Sequence, residues 1–377
     1  MKKLISYAFL GFEETFSHSN LSTLHLLSKI YYRQYNILND RFNLLNDGSE
    51  YFLKSRCDDI STIINSKNMT FEECCHNRSS EIINKARQEN KKIYVLYSGG
   101  VDSSVVVSSF LMNDALDKRT FYVVCNNYAI EENPSMYEFL IRSNINVHRI
   151  SDDIEAFISL LNNENIYFVS GCCGDQIISS NLHTRKHRHL DYFCNWKDSL
   201  NDIVKRIFNR QVEDRHICDM EAYSSHMNFP LKYFGDFALL FNFGLKWDYS
   251  MDYIKNLSKY ENVIPFFDTI YFQKYMFNAH NIMREYKHQN DYLYKLDFKK
   301  YIFSLTKSEI YFLDKGKSVT YIGEHHANPG LTYYDNTGRH RIKLSEVTPD
   351  VIHKVMIDYI KPEYREHYSV IKLPERT

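Results

Sequence analysis

Between residues 91 and 180 the apolar positions come in short runs and in helix-spaced sets that alternate along the chain. Lys92 to Tyr97, Thr120 to Cys125, Ile145 to Ile150 and Ile166 to Ser170 are rich in β-branched and aromatic residues, the pattern of strands. Between them, Ser103 to Met112, Met136 to Asn144 and Ile154 to Leu161 read as helices. This alternation predicts an α/β fold, a parallel sheet with helices on both faces. Ligands of such sheets bind beyond the carboxyl ends of the strands. Two segments fall there, one after Tyr97 and one after Ser170.

The flanks are patterned differently. Asn20 to Tyr35 places Leu21, Leu24, Leu27, Ile30 and Tyr31 at helical spacing, with Asn20 as a cap. Thr70-Phe71-Glu72-Glu73 has the spacing of a capping box, and the helix it opens is expected to reach about Gln88. Residues 181 to about 260 are helical and aromatic in pattern. Pro265-Phe266-Phe267-Asp268 reads as a proline-led turn with a buried aromatic pair and Asp268 as a helix cap. Helices are expected over Tyr271 to Ala279 and Leu296 to Phe303. Gly330 to Leu344 reads as a hairpin, with strands near Leu331 to Tyr334 and Arg341 to Leu344, and Pro349 opens a last helix to Ile360. The expected regions are 1–90, 91–327 and 328–377.

Composition narrows the class without choosing a chemistry. The chain has 377 residues, enough for two or more structural units, and is 44% hydrophobic. Its net charge of −1 gives no overall drive toward nucleic acid or an anionic membrane. Eight cysteines occur with no Cys-x-x-Cys pair, which removes the zinc-ribbon and thioredoxin spacings. Free buried thiols in a reducing compartment are expected. The N-terminal apolar stretch is short and is followed by Glu13 and Glu14, so it reads as a strand or helix rather than a leader. No window has the apolar length of a membrane span. A soluble, cytoplasmic protein is the expectation.

The chemistry concentrates at Ser98-Gly99-Gly100-Val101-Asp102-Ser103-Ser104. A Ser/Gly turn from a strand into a helix presents backbone N–H groups and a partial positive charge, a cradle for phosphate. Asp102 adds a carboxylate where Mg²⁺ could bridge phosphates. No lysine follows Gly100, so this is not a Walker A loop. Ser98 to Ser103 resembles the Ser-Gly-Gly-x-Asp-Ser loop of the PP-loop ATP pyrophosphatases, whose fold is of the HUP-like kind. That family includes asparagine synthetase, β-lactam synthetase, GMP synthetase, NAD synthetase and tRNA thiolation enzymes.

Further segments point to the asparagine synthetase branch. Ser170-Gly171-Cys172-Cys173-Gly174-Asp175-Gln176 is similar to its Gly-x-Gly-(Ala/Gly)-Asp-(Glu/Gln) segment, with Cys173 in place of the second glycine. Gly171 and Gly174 are then expected at the nucleotide, and Asp102 and Asp175 as the acidic pair for Mg²⁺. Glu261 to Asp268 resembles the Glu-x-Arg-x-Pro-Phe-Leu-Asp segment, with Val263 where the family has Arg. Asp314-Lys315-Gly316-Lys317-Ser318 resembles the lysine loop that stabilises charge beside the adenylate, Lys317 being the first choice and Lys315 the second. Leu96 and Val124, at the ends of the first two strands, would border the adenine.

The relatives' glutaminase domain carries a cysteine directly after Met1. Here residue 2 is Lys, and the expectation is that nitrogen does not come from glutamine. His183 to His189 is a basic, histidine-rich stretch. It reads as a solvated loop, with a His183–His187 metal pair or an anion contact at Arg185, Lys186 or Arg188 as alternatives.

The resemblance implies an ATP- and Mg²⁺-dependent, AMP-forming amide ligase. Its partners would be a small-molecule or peptide carboxylate and an amine or ammonia. Two other readings stay open. One is activation of a nucleobase carbonyl for amination or thiolation, for which the charge gives no support. The other is a nucleotide-binding protein without catalysis.

Overall fold

In the computed structural model, the described residues are 23, 26–27, 44–45, 60–150, 157–158, 161, 165–177, 193–247, 262–285, 295–309, 311, 330–335 and 338–343. In chain order the elements begin with α1 (Ile60–Asn65), α2 (Phe71–Gln88), β1 (Lys92–Leu96), α3 (Val101–Leu111) and β2 (Phe121–Cys125). There follow α4 (Asn127–Glu132), α5 (Pro134–Arg142), β3 (Asn146–Arg149), β4 (Ile166–Ser170) and α6 (Gly174–Ile177). Next are α7 (Trp196–Phe208), α8 (Asp214–His226), α9 (Phe234–Leu240), β5 (Val263–Pro265), α10 (Ile270–Glu285) and α11 (Leu296–Thr306). The last pair is β6 (Gly330–Asp335) and β7 (Gly338–Lys343), the antiparallel hairpin that the turn signals anticipate. The helices expected over Asn20 to Tyr35, Ile154 to Leu161 and Pro349 to Ile360 lie wholly or mostly outside the described residues.

The chain groups into two compact units, each drawn from three separate stretches. The sheet unit comprises Met69–Gly174, Leu257–Tyr275 and Tyr286–Thr377. Its five strands are all parallel, in the order β3-β2-β1-β4-β5. The central strands are apolar along their length because both faces are covered: Val95, Val123, Phe168 and Val169 are fully buried. Pro265, read from the sequence as the head of a turn, closes β5, and the bend follows at Phe266 and Phe267. Three residues are too few to show a strand period, and Pro265 argues against a strand. Among the described residues β5 is the edge of the sheet, where a proline's missing N–H is tolerated. Phe266 continues the pairing, its N–H donating to the Ser170 carbonyl at 2.8 Å.

Helix α2 begins at the anticipated box. The Thr70 hydroxyl accepts from the Glu73 N–H at 3.1 Å, and the Glu73 carboxylate accepts from the Thr70 N–H at 2.7 Å. The helix packs against α3 and β1 in the sheet unit. Phe71 anchors it in an aromatic cluster, stacked on Phe298 at 4.5 Å between centroids and flanked by Tyr275 and Tyr301. Phe266 and Phe267 are fully buried in the same unit, as expected. The cap of α10 falls one residue later than the sequence suggests. The Thr269 hydroxyl, rather than Asp268, accepts from the Phe272 N–H, at 3.4 Å.

The helical unit comprises Met1–Asn68, Asp175–Asn256 and Met276–Glu285. Its core is aromatic, as the pattern over 181–260 implies: Trp196, Phe234 and Phe241 each meet the Phe237 ring. One buried carboxylate is fully employed there. Asp236 accepts from the backbone N–H groups of Lys232 and Tyr233, and meets His280 Nε2 at 2.8 Å. These bonds fix the start of α9 and offset the cost of burying charge. Among the described residues, no helix is long and apolar enough to cross a membrane.

Candidate active site

The direction of strand order reverses at β1. Chain continuing from β1 adds β2 and β3 on one side, whereas β4 and β5 lie on the other. The crevice at such a switch point is where open α/β sheets bind ligands. The two segments at its mouth are Ser98 to Ser103, after β1, and Gly171 to Gly174, after β4.

The first loop is shaped by its own hydroxyls and one obligatory glycine. Gly99 sits at φ +76°, in the left-handed region. A Cβ there would also strike the Ala129 carbonyl and come within 2.6 Å of Glu132 Cβ. Ser103 Oγ donates to the Gly100 carbonyl at 3.1 Å and accepts from the Ser98 N–H at 3.2 Å. Gly100 then caps α3 without any side-chain hydrogen bond to the helix's first turn. Asp102 stands in that turn, partly exposed, and Ser98 is exposed. Val101, Ser103 and Ser104 are buried, Ser104 fully, which leaves these side chains little or no surface for a ligand. Val124 is fully buried and Leu96 is 9% exposed, so both belong to the core of the sheet.

The glycines after β4 have a task that the sequence did not reveal. A Cβ on Gly171 would lie 2.9 Å from Ser103 N, and one on Gly174 would lie 2.6 Å from Asp102 Oδ1. Their absent side chains let the second segment close against the first. Cys173 adopts φ +70°, a conformation suited to glycine, at the position where the resembled motif carries one. The Cys172 N–H donates to Ser170 Oγ at 3.2 Å, and burial pushes the Cys172 thiol up, away from thiolate. Gly174→Ala is expected to push the Asp102 carboxylate aside. Affinity for Mg-pyrophosphate should fall about 10-fold and the urea midpoint should drop as well, because the Asp102–Lys295 pair is disturbed; calorimetry beside an unfolding curve measures both.

Lys295 completes the cluster, and the sequence reading missed it. Its ammonium donates to Asp102 Oδ1, with the lysine side chain 2% exposed and the aspartate 24%. The backbone of Lys295 is left-handed, φ +54°, at the N-cap of α11. A signal was present. Lysine is unfavourable at a helix N-terminus, where the dipole already presents positive charge. Asp297 in the first turn answers the dipole locally, and the structure gives the ammonium itself Asp102 as a partner.

Asp175 lies in the opening turn of α6, one residue beyond Gly174. Lys315, Lys317, Glu261 and the His183 to His189 stretch lie outside the described residues. Among the described residues, no three His, Cys, Asp or Glu side chains gather as a metal cage. A divalent cation shared with a phosphate ligand needs less, one or two carboxylates, and Asp102 has the chemistry for that. In comparisons with known proteins, no family model and no curated protein matches this chain.

Proposed function

We propose that this chain is an ATP-dependent, AMP-forming ligase of the PP-loop kind, which adenylates a carboxylate and passes the acyl group to an amine or ammonia. The observation that carries the reading is a Ser/Gly loop at the sheet's switch point with a buried lysine held against the loop's own carboxylate. Backbone N–H groups at the start of α3, where the cap Gly100 has no side chain to bond them, and the Lys295 ammonium gather positive charge where pyrophosphate would lie.

In this reading a substrate carboxylate oxygen attacks the α-phosphorus of ATP. The new P–O bond forms as the bond to the bridging oxygen breaks, and the electron pair leaves with pyrophosphate. Stabilising that departing charge is the task of the loop and of Lys295. An amine then attacks the acyl carbon, AMP departs, and the nitrogen loses a proton. Mg²⁺ would supply charge neutralisation at the phosphates, with Asp102 holding it and Asp175 its second ligand by resemblance. Lys317, or Lys315, keeps its assignment to the acyl oxyanion on the same ground.

Two measurements test this. Mg-ATP should bind saturably and be displaced by pyrophosphate. Labelled pyrophosphate should enter ATP when a mixture of carboxylates is supplied. Failure of both would overturn the reading.

A further inference from the structure

We infer that Tyr311 is a positioning residue for the pyrophosphate loop, setting through Ser104 which side of the loop faces the ligand. The inference rests on the phosphate reading above. A serine hydroxyl has one hydrogen to give and two lone pairs. Ser104, fully buried, uses all three: it donates to the Gly100 carbonyl at 2.9 Å and accepts from Tyr311 O–H at 3.2 Å and Asn133 Nδ2 at 3.3 Å. The donors are fixed in their roles. Burial foremost, and then Tyr97 nearby, push the Tyr311 phenol up, so it keeps its proton. Asn133 turns its amide nitrogen toward Ser104 because its oxygen accepts from the Met136 N–H at 3.1 Å. With both lone pairs filled, the Ser104 proton has one place to go.

That place is the Gly100 carbonyl, which also accepts from Ser104 N at 3.0 Å and from Ser103 Oγ at 3.1 Å. In a planar trans peptide, the N–H points opposite to the C=O. Holding the Gly100 carbonyl inward therefore aims the Val101 N–H outward, toward an anion on the loop. The Tyr97 hydroxyl also lies beside Ser104 and Asn133.

The test is titration of the full chain with Mg-pyrophosphate by calorimetry, well below the unfolding transition. Tyr311→Phe keeps the ring and loses only the hydroxyl. It should bind about 3- to 10-fold more weakly than wild type, the worth of one hydrogen bond. Ser104→Ala should weaken binding at least as much, and the double variant should match Ser104→Ala alone, because both act through one bond. A purely structural tyrosine would lower the urea midpoint and leave affinity unchanged; that result, or independent losses in the double variant, would overturn the inference. A wild-type chain that binds no Mg-pyrophosphate would overturn the phosphate reading and this inference together.

Discussion

Asp102→Asn stops pyrophosphate exchange, with an expected fall of at least about 100-fold, the scale for removing a group that stabilises developing charge. The variant keeps the shape of the side chain and loses the charge. It removes the ligand proposed for Mg²⁺ and the carboxylate that Lys295 faces. The same variant should be clearly less stable, by about 3 kcal/mol, since breaking a buried ion pair from one side leaves the other charge in a poor environment. Exchange within a few-fold of wild type would refute the assignment of Asp102, whatever the stability.

Lys295→Met separates the two effects. At a position 2% exposed, methionine replaces the stem of lysine and removes the ammonium. Asp102 remains, 24% exposed and therefore able to take water as a partner. The stability loss should be smaller than for Asp102→Asn, about 1 kcal/mol, because the burial cost of the lysine charge disappears with it. Pyrophosphate exchange should still fall about 100-fold, since the departing phosphates lose their cation. Urea unfolding and exchange rates, measured on both variants, give the ordering. If Lys295→Met were the less stable of the two and retained exchange, the lysine would be a structural partner only.

The sheet was legible because parallel strands advertise themselves. β1, β2, β3 and β4 are short β-branched runs, and each lies within a residue or two of where periodicity puts it. The Thr70 box was legible because its reciprocal bonds need fixed residue types at fixed spacing. What stayed hidden depends on distance along the chain. Lys295 reaches Asp102 across 193 positions, and Tyr311 reaches Ser104 across 207. No local pattern encodes such meetings. Ser104 could be read as a phosphate contact until its three hydrogen bonds turned it inward. Gly171 and Gly174 were read as glycines for a ligand, and the nearest atoms to them belong to Ser103 and Asp102. β5 was missed for a different reason: three residues ending in proline carry too little signal to outweigh the turn reading.

Parting β4 from β5 in the sequence has a consequence for synthesis. Ser170 ends β4, and its partner Pro265 lies 95 residues later, by subtraction of the paired positions. At a typical rate of about 5–20 residues per second, β4 leaves the ribosome about 5–20 s before the strand that covers its edge. For that interval a strand destined for the core presents unpaired N–H and C=O groups, a template for a neighbouring nascent chain. The loop region matures later still, since Asp102 waits for Lys295. A cell making this chain therefore carries, for some seconds per molecule, a half-built sheet whose open edge adjoins the proposed site.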